Sequence, residues 1–456
     1  MLYFIKQLAL SVRIISLFVL ISALLLSCSS NDDNPSDPTV ANPTYYGEIA
    51  PLFYKNCVSC HKNGGIAPFS LVNEQNGYSE AKKYASAIRR RTANRTMPPW
   101  LADNSGQCNT YEHARWLDDA NITIIENWVL NGTPEGDAPT TPLPVPLLPG
   151  LTNPDSVAAM STSYTPAGDP VDHPNDDYRC FIVDPNISNT TDQLLTAFEM
   201  QPGNDALVHH IILFGLPNKA TEDAAIALDN ADTKLGYTCF GGSGITANNA
   251  ANILEPSFLA GWAPGTKLTE YPLGTGVKLV AGRKFIMQVH YNLANLDTSP
   301  GAANIDQTSV KLKYTATGGD VREAFVYGVQ DGDLNIPPRV SDHLETGVTT
   351  VPFNARIWGA FPHMHTYGKS IDAYSSNASQ GDSCLFDVPD WDFAWQQFFF
   401  YDKDTTVTIN TGDTISLNCH YDTTSRLETD KNINWGDGTQ DEMCLSFFYI
   451  TLENAR

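Results

Sequence analysis

Pro139, Pro142, Pro144, Pro146 and Pro149 crowd the run from Ala138 to Gly150. Each proline removes a backbone donor and fixes φ, so the run can be neither helix nor paired strand and reads as a semi-rigid linker over 138–152. The chain therefore divides there. Before it, helix-like patterning over Ala81 to Thr92 and Ile122 to Leu130 predicts a small all-α domain over 43–137. Asn121-Ile122-Thr123 is expected to cap the second of these helices and Asn131-Gly132 to end it. Behind the linker come short apolar runs parted by Gly, Pro, Asn and Asp: Leu207 to Phe214, Lys284 to Tyr291, Ser309 to Tyr314, Phe325 to Val329, Arg356 to Phe361, Thr406 to Ile409 and Cys444 to Leu452. These predict strands of all-β sandwiches. Roughly 300 residues exceed one sandwich, and the turn cluster Ala316-Thr317-Gly318-Gly319-Asp320 divides them into domains 153–319 and 320–456.

The first residues place Lys6 and Arg13 before an apolar run from Ile14 to Leu26, too short to span a bilayer. Leu25-Leu26-Ser27-Cys28 resembles a bacterial lipobox, which implies a lipoprotein signal peptide over 1–28, a lipid anchor at Cys28 and a polar tether over 29–42. A plain cleaved signal with an incidental Cys28 is the simpler alternative. Either reading sends the chain out of the cytoplasm, and the lipobox implies a membrane-anchored lipoprotein of a Gram-negative cell envelope. A net charge of -23 argues against nucleic acid as a partner. The densest basic run, Arg89-Arg90-Arg91, reads as a solvated helix face rather than a docking spot. Nine cysteines suit an oxidising compartment. Cys419 and Cys444 form one candidate pair; Cys108, Cys180, Cys239 and Cys384 can pair in three ways or stay partly free.

Cys57-Val58-Ser59-Cys60-His61 carries the first chemistry. Two cysteines two residues apart can form thioethers to haem vinyl groups, and the adjacent histidine falls under the iron. Zinc would need two more ligands, and a thioredoxin-like role leaves His61 unexplained. Before the linker stand one methionine, Met97, in Arg95-Thr96-Met97-Pro98-Pro99-Trp100, and one other histidine, His113. A thioether held by prolines suits an electron-transfer haem, so Met97 is the expected second axial ligand rather than a gap-filling core residue. The stretch resembles small monohaem cytochrome c domains, implying covalently bound haem c.

His363 and His365 flank Met364, and strand period two sends both imidazoles to one face. His290 lies in a second strand-like run. His209-His210 is awkward, because strand neighbours face opposite ways, so joint ligation requires a bulge or different ring nitrogens. A single strand histidine is more often a hydrogen-bonded core residue; five within three short apolar segments are not so explained. A thioether beside imidazoles favours copper over zinc.

His209-His210, Gln288-Val289-His290, His363-Met364-His365 and Asp441-Glu442-Met443-Cys444, in that order, resemble the type II ascorbate-dependent copper monooxygenases, the family of peptidylglycine α-hydroxylating monooxygenase and dopamine β-monooxygenase. The resemblance runs from about Asn153 to the C-terminus. It implies two jelly-roll-like sandwiches facing across a solvent-filled cleft, each with one of two copper ions. His209, His210 and His290 would hold the electron-storing copper, and His363, His365 and Met443 the oxygen-activating, catalytic one. It implies a small-molecule substrate and O2 as partners, hydroxylation of an activated C–H bond, and a disulfide between Cys419 and Cys444.

Two departures shape the expected function. Where the peptide-amidating branch has an arginine and polar partners for the peptide carboxylate, this sequence has Phe361, Leu445 and Phe447. A carboxylate would lose its bidentate partner, so the expected substrate is small and apolar rather than peptidylglycine. No lyase domain follows in this sequence, so completed amidation is not expected from it. The second departure is the haem motif, which makes a fused haem the expected one-electron donor, itself supplied by an external donor. The alternatives are a non-catalytic copper and haem electron-transfer lipoprotein, or a surface lipoprotein with vestigial metal sites.

Overall fold

The computed structural model describes residues 42–141, 150–168, 175–187, 190–239, 242–245, 258–262, 264, 268–299, 301–377, 381–426, 431–436 and 441–453. The signal peptide, Cys28, the tether up to residue 41 and most of the Pro-rich linker lie outside the described residues.

The front of the chain is helical: a π-turn over Tyr45–Ile49 leads into α1 (Ala50–Asn56), followed by α2 (Gly77–Lys83), α3 (Ala85–Ala93) and α4 (Asp119–Leu130). They close around Tyr45, Phe53, Ile125 and Trp128, all essentially solvent-free. The helix expected over Ala81 to Thr92 is interrupted at Tyr84 (φ -99°, ψ 10°), whose ring stacks on Phe69 at 4.2 Å. The last helix starts earlier than Asn121 because Asp118 is its cap, its carboxylate accepting from Asn121 N–H at 2.7 Å. It ends as expected, with Asn131 at the C-cap and Gly132 at φ 82°. Of the basic run, Arg89 pairs with Glu126 and Arg90 and Arg91 are exposed.

The β part contains β1 (Ser156–Ala159), β2 (Asp176–Val183), β3 (Gln193–Gln201), β4 (Val208–Gly215), β5 (Tyr237–Thr238), β6 (Phe258–Trp262), β7 (Leu268–Glu270), β8 (Thr275–Leu279), β9 (Phe285–Asn292) and β10 (Ser309–Ala316). After the turn at Thr317–Asp320 come β11 (Arg322–Asp331), β12 (His343–Thr350), β13 (Ala355–His363), β14 (Gly368–Asn377), β15 (Gly381–Val388), β16 (Phe399–Phe400), β17 (Val407–Ile409), β18 (Thr414–Tyr421) and β19 (Cys444–Leu452). Every expected strand run overlaps one of these, with Leu207, Lys284 and Thr406 just outside their strands. A helix not foreseen, α5 (Lys219–Ala231), interrupts the first set, started by reciprocal capping between Asn218 and Thr221.

The strands make two stacked-sheet units. A five-stranded sheet, β5-β2-β9-β4-β6, covers β1-β10-β3-β8 over a core that includes Leu195, Phe198, Ile211 and Val289. A four-stranded sheet, β12-β18-β14-β15, covers β11-β19-β13 over Ile371, Phe386, Leu417 and Phe448. Parallel pairing of β8 with β11 makes the two inner halves one continuous 10-stranded sheet. Cys180–Cys239 joins β2 to the chain after β5, and Cys419–Cys444 ties the facing sheets of the second unit through β18 and β19. Among the described residues no helix is long and apolar enough to cross a membrane.

The helical part is not merely tethered. Between α3 and α4 the chain leaves its own core, and Trp100, Ala102 and Tyr111 enter the core of the second sandwich. Trp100 meets Phe399 edge-on at 5.1 Å, Tyr111 bridges to Tyr401, and Asp103 N–H donates to Asp387 O at 2.8 Å. Cys108–Cys384 locks this strap across 276 residues of sequence. Cutting at a protease site engineered into 142–149 should therefore leave the two fragments joined on a non-reducing gel and separate only with reductant. Separation without reductant would refute the strap.

Candidate metal centres

Antiparallel β4 and β9 sit at the middle of the five-stranded sheet and carry the first histidine set. Val208 pairs with Tyr291 and His210 with His290, so His209 is the extra residue of a β-bulge. The bulge lets two sequence neighbours turn to the same side, the first of the two ways the sequence left open. Nδ1 of His290 lies 3.2 Å from Nδ1 of His209 and 3.3 Å from Nδ1 of His210. The ligand atoms of all three fall within 4.8 Å of one another.

His290 is oriented from behind. Its Nε2 lies 2.7 Å from Asp176 Oδ1, and its ring stacks on Tyr178 at 4.0 Å and 5°. With the proton on Nε2 for Asp176, Nδ1 presents its lone pair to the other two rings. Burial lowers the pKa of His209, and burial followed by His290, His209 and His363 lowers that of His210 well below the usual histidine range. Neutral imidazole lone pairs converging at this spacing are a donor set that a cation fits.

The second set lies where β13 meets β19. The register pairs Phe361 with Phe447 and His363 with Leu445; continued two residues further it puts Met443 across from His365. Met364 turns into the core, fully buried, while the rings of His363 and His365 meet at 5.2 Å and 86°. Gln396 Oε1 lies 2.5 Å from His363 Nδ1, and Asp441 O lies 3.1 Å from His365 Nδ1. Each contact leaves Nε2 as the lone-pair nitrogen, and His363 Nε2 is buried with no hydrogen-bond partner. Burial, followed by His365, pushes the His363 pKa down to about 4.

Glu442 clasps the Met443 loop to the histidine loop. Its carboxylate accepts from the backbone N–H groups of His365 at 2.8 Å, Tyr367 at 2.6 Å and Met443 at 3.4 Å. Burial raises its pKa to about 8 against the pull of these amides. Tyr421 OH also donates to Met443 O at 3.0 Å, so the methionine is held at both ends.

Phe361, expected beside this set, packs with Phe258, Phe398 and Phe447, its ring 5.5 Å from Phe258 of the first sandwich. Rings from both sandwiches thus meet where the resemblance implies a solvent-filled cleft.

Cys57, Cys60, His61 and Met97 share the wall of one cavity of about 440 Å³. Both cysteines are unpaired, whereas the other six described cysteines form disulfides. Burial raises the Cys57 thiol to about 12 and lowers the His61 pKa. His61 Nδ1 lies 3.1 Å from Phe69 O, leaving Nε2 as the lone-pair nitrogen. His113 is exposed on the strap and is not part of this wall. The cavity's far side comes from the β part: His209, Asn292 and Trp395.

Asp176, Tyr178, Gln396, Glu442 and Trp395 were missed from sequence. Asp176 stands 114 residues from His290, and only the β2–β9 register brings them together.

Each of the two sandwiches brings imidazoles together, as three converging rings in the first and as the His363–His365 pair in the second. Residues 332–453 match the family described as copper type II ascorbate-dependent monooxygenase, C-terminal domain. Among curated relatives, DBH-like monooxygenase protein 1 of Gallus gallus is 25% identical over 274 residues, which cover 54% of this chain and 40% of the relative. The Homo sapiens protein of that name is 24% identical, covering 65% of this chain and 49% of its own. Dopamine beta-hydroxylase of Canis lupus familiaris is 25% identical, covering 54% and 38%. In each match the chain spans less than half of the relative's length. These similarities support the type II copper monooxygenase family for the β part. A solved capsid protein, P2 from Bacteriophage PM2, aligns with a TM-score of 0.25 and 10% identity, too distant to carry an argument.

Asp176→Ala should weaken copper binding at the first set by about 10–100-fold, the usual effect of losing a histidine's orienting partner. Chelator competition measures it, and affinity unchanged within a factor of two would refute the orienting role.

Proposed function

We propose that this chain is an exported copper-dependent monooxygenase that hydroxylates an activated C–H bond of a small apolar molecule with O2, receiving single electrons from its own c-type haem module. The observation that carries the reading is the buried, partnerless Nε2 of His363 beside His365, with Met443 clasped across from them. Two imidazoles and a thioether suit copper(I). Copper at the two sets would supply one-electron redox chemistry and oxygen activation.

The chain's own residues do the rest. Asp176, Gln396 and the Asp441 carbonyl fix the tautomers of His290, His363 and His365, so that one nitrogen of each is a donor. Phe361, Phe447 and Phe258 pack into one apolar cluster beside the strand that carries His363, and the cluster holds no cation for a carboxylate, which favours an uncharged substrate over peptidylglycine.

Cys57 and Cys60 would attach haem and His61 and Met97 would face its iron; haem would supply a one-electron carrier. Electron supply to the first set is favoured by His209 standing in the wall of the same cavity. Three disulfides favour an oxidising compartment, in keeping with a signal peptide and a lipid anchor at Cys28.

Metal analysis of the intact protein should find two coppers and one iron per chain, with one copper lost in Met443→Ala. Zinc without copper would overturn the assignment. A glycine-extended peptide should remain unhydroxylated by copper-loaded, reduced protein, read by mass spectrometry; turnover at ordinary enzymatic rates would overturn the substrate class.

A further inference from the structure

One short segment between β15 and β16, residues 391–397, touches every centre described above. Trp391 Nε1 donates to His365 O at 3.1 Å, and the Phe393 ring meets the His365 ring edge-on at 5.9 Å. The Trp395 ring lies 6.1 Å from that of His209 and closes the Cys57–His61 cavity. Gln396 holds His363 Nδ1. Gln397 accepts from Arg115 at 3.5 Å, and Arg115 lines the same cavity.

The segment is a tight turn. Ala394 N–H donates to Asp392 Oδ1 at 2.9 Å, Trp395 N–H to Asp392 O at 3.0 Å, and Gln396 Nε2 to Phe393 O at 2.9 Å. Gly368 permits the close seating of Trp391, since a Cβ there would stand 2.6 Å from the indole. Consecutive residues, Trp395 and Gln396, therefore contact one histidine of each set.

We propose that Trp395-Gln396 is the electron bridge between the two copper sets. This rests on the copper reading given above. The route is one aromatic contact, one peptide unit and one hydrogen bond, and electronic coupling falls off more slowly along bonds than across space. One electron passes: copper(I) at His209, His210 and His290 becomes copper(II), and copper(II) at His363, His365 and Met443 becomes copper(I). No bond is made or broken and no proton moves. Gln396 acts as a positioning residue, through His363.

The test uses full-length, copper-loaded, oxidised protein mixed anaerobically with ascorbate, with copper(II) followed by freeze-quench EPR. His210→Ala and His363→Ala assign the signals to each set. In the native protein, reduction of the second set should contain a first-order phase whose rate does not depend on ascorbate concentration. Trp395→Leu and Gln396→Leu should each slow that phase at least tenfold relative to reduction of the first set in the same variant, while both coppers stay bound. Gln396→Glu, which keeps an oxygen acceptor for Nδ1–H, should restore it. A phase unchanged within twofold in both leucine variants, in chains holding two coppers, would overturn the bridge. Protein that binds no copper would instead refute the underlying reading.

Discussion

The packing of residues 100–116 into the second sandwich decides how the whole molecule is arranged. Without it the helical part would hang on the Pro-rich run, and its cavity would have no fixed neighbour. Trp100 against Phe399 and Cys108 bonded to Cys384 remove that freedom. Burying an indole of this size is worth about 3–5 kcal/mol when judged by truncation, and a native disulfide adds about 2–5 kcal/mol. Together they hold the Cys57–His61 cavity where His209 and Trp395 complete its wall. The β8–β11 pairing does the corresponding work between the sandwiches, joining their inner sheets so that the two histidine sets cannot drift apart.

Burial controls the chemistry at both sets. Imidazoles taken out of water lose the charged form first, which is why His209, His210 and His363 are all shifted downward. That leaves nitrogen lone pairs rather than N–H groups facing inward, provided each ring's other nitrogen has an acceptor. Asp176, Gln396 and Asp441 O supply those acceptors, one for each oriented ring. The aromatic cluster around Phe361 adds apolar surroundings on the strand that carries His363.

The sequence exposed what is local and hid what is distant. His363-Met364-His365 could be read because strand period two is a local rule, and Met364 does turn into the core. His209-His210 left two ways open, a bulge or different ring nitrogens, and the structure takes the bulge. The strap could not be read, because residues 100–116 carry no helix or strand period and their partners stand almost three hundred positions away. Gln396 and Asp176 were hidden for the same reason: a lone amide or carboxylate has no local signature, and it takes the β2–β9 pairing to bring Asp176 to His290 and the turn after β15 to bring Gln396 to His363. The helix start shifted from Asn121 to Asp118 because both residues can cap, and a hydrogen bond decides between them.

If haem occupies the Cys57–His61 cavity as proposed, His209 in its wall would bring the copper of the first set against it. EPR power saturation of the oxidised, fully loaded protein reads that contact, since a ferric haem in contact with a copper(II) site speeds that copper's relaxation. Fast relaxation is expected for the first-set copper but not for the same copper in a Cys57→Ser, Cys60→Ser chain lacking haem. Equal relaxation in the two proteins, with haem and copper both confirmed in the native one, would contradict it.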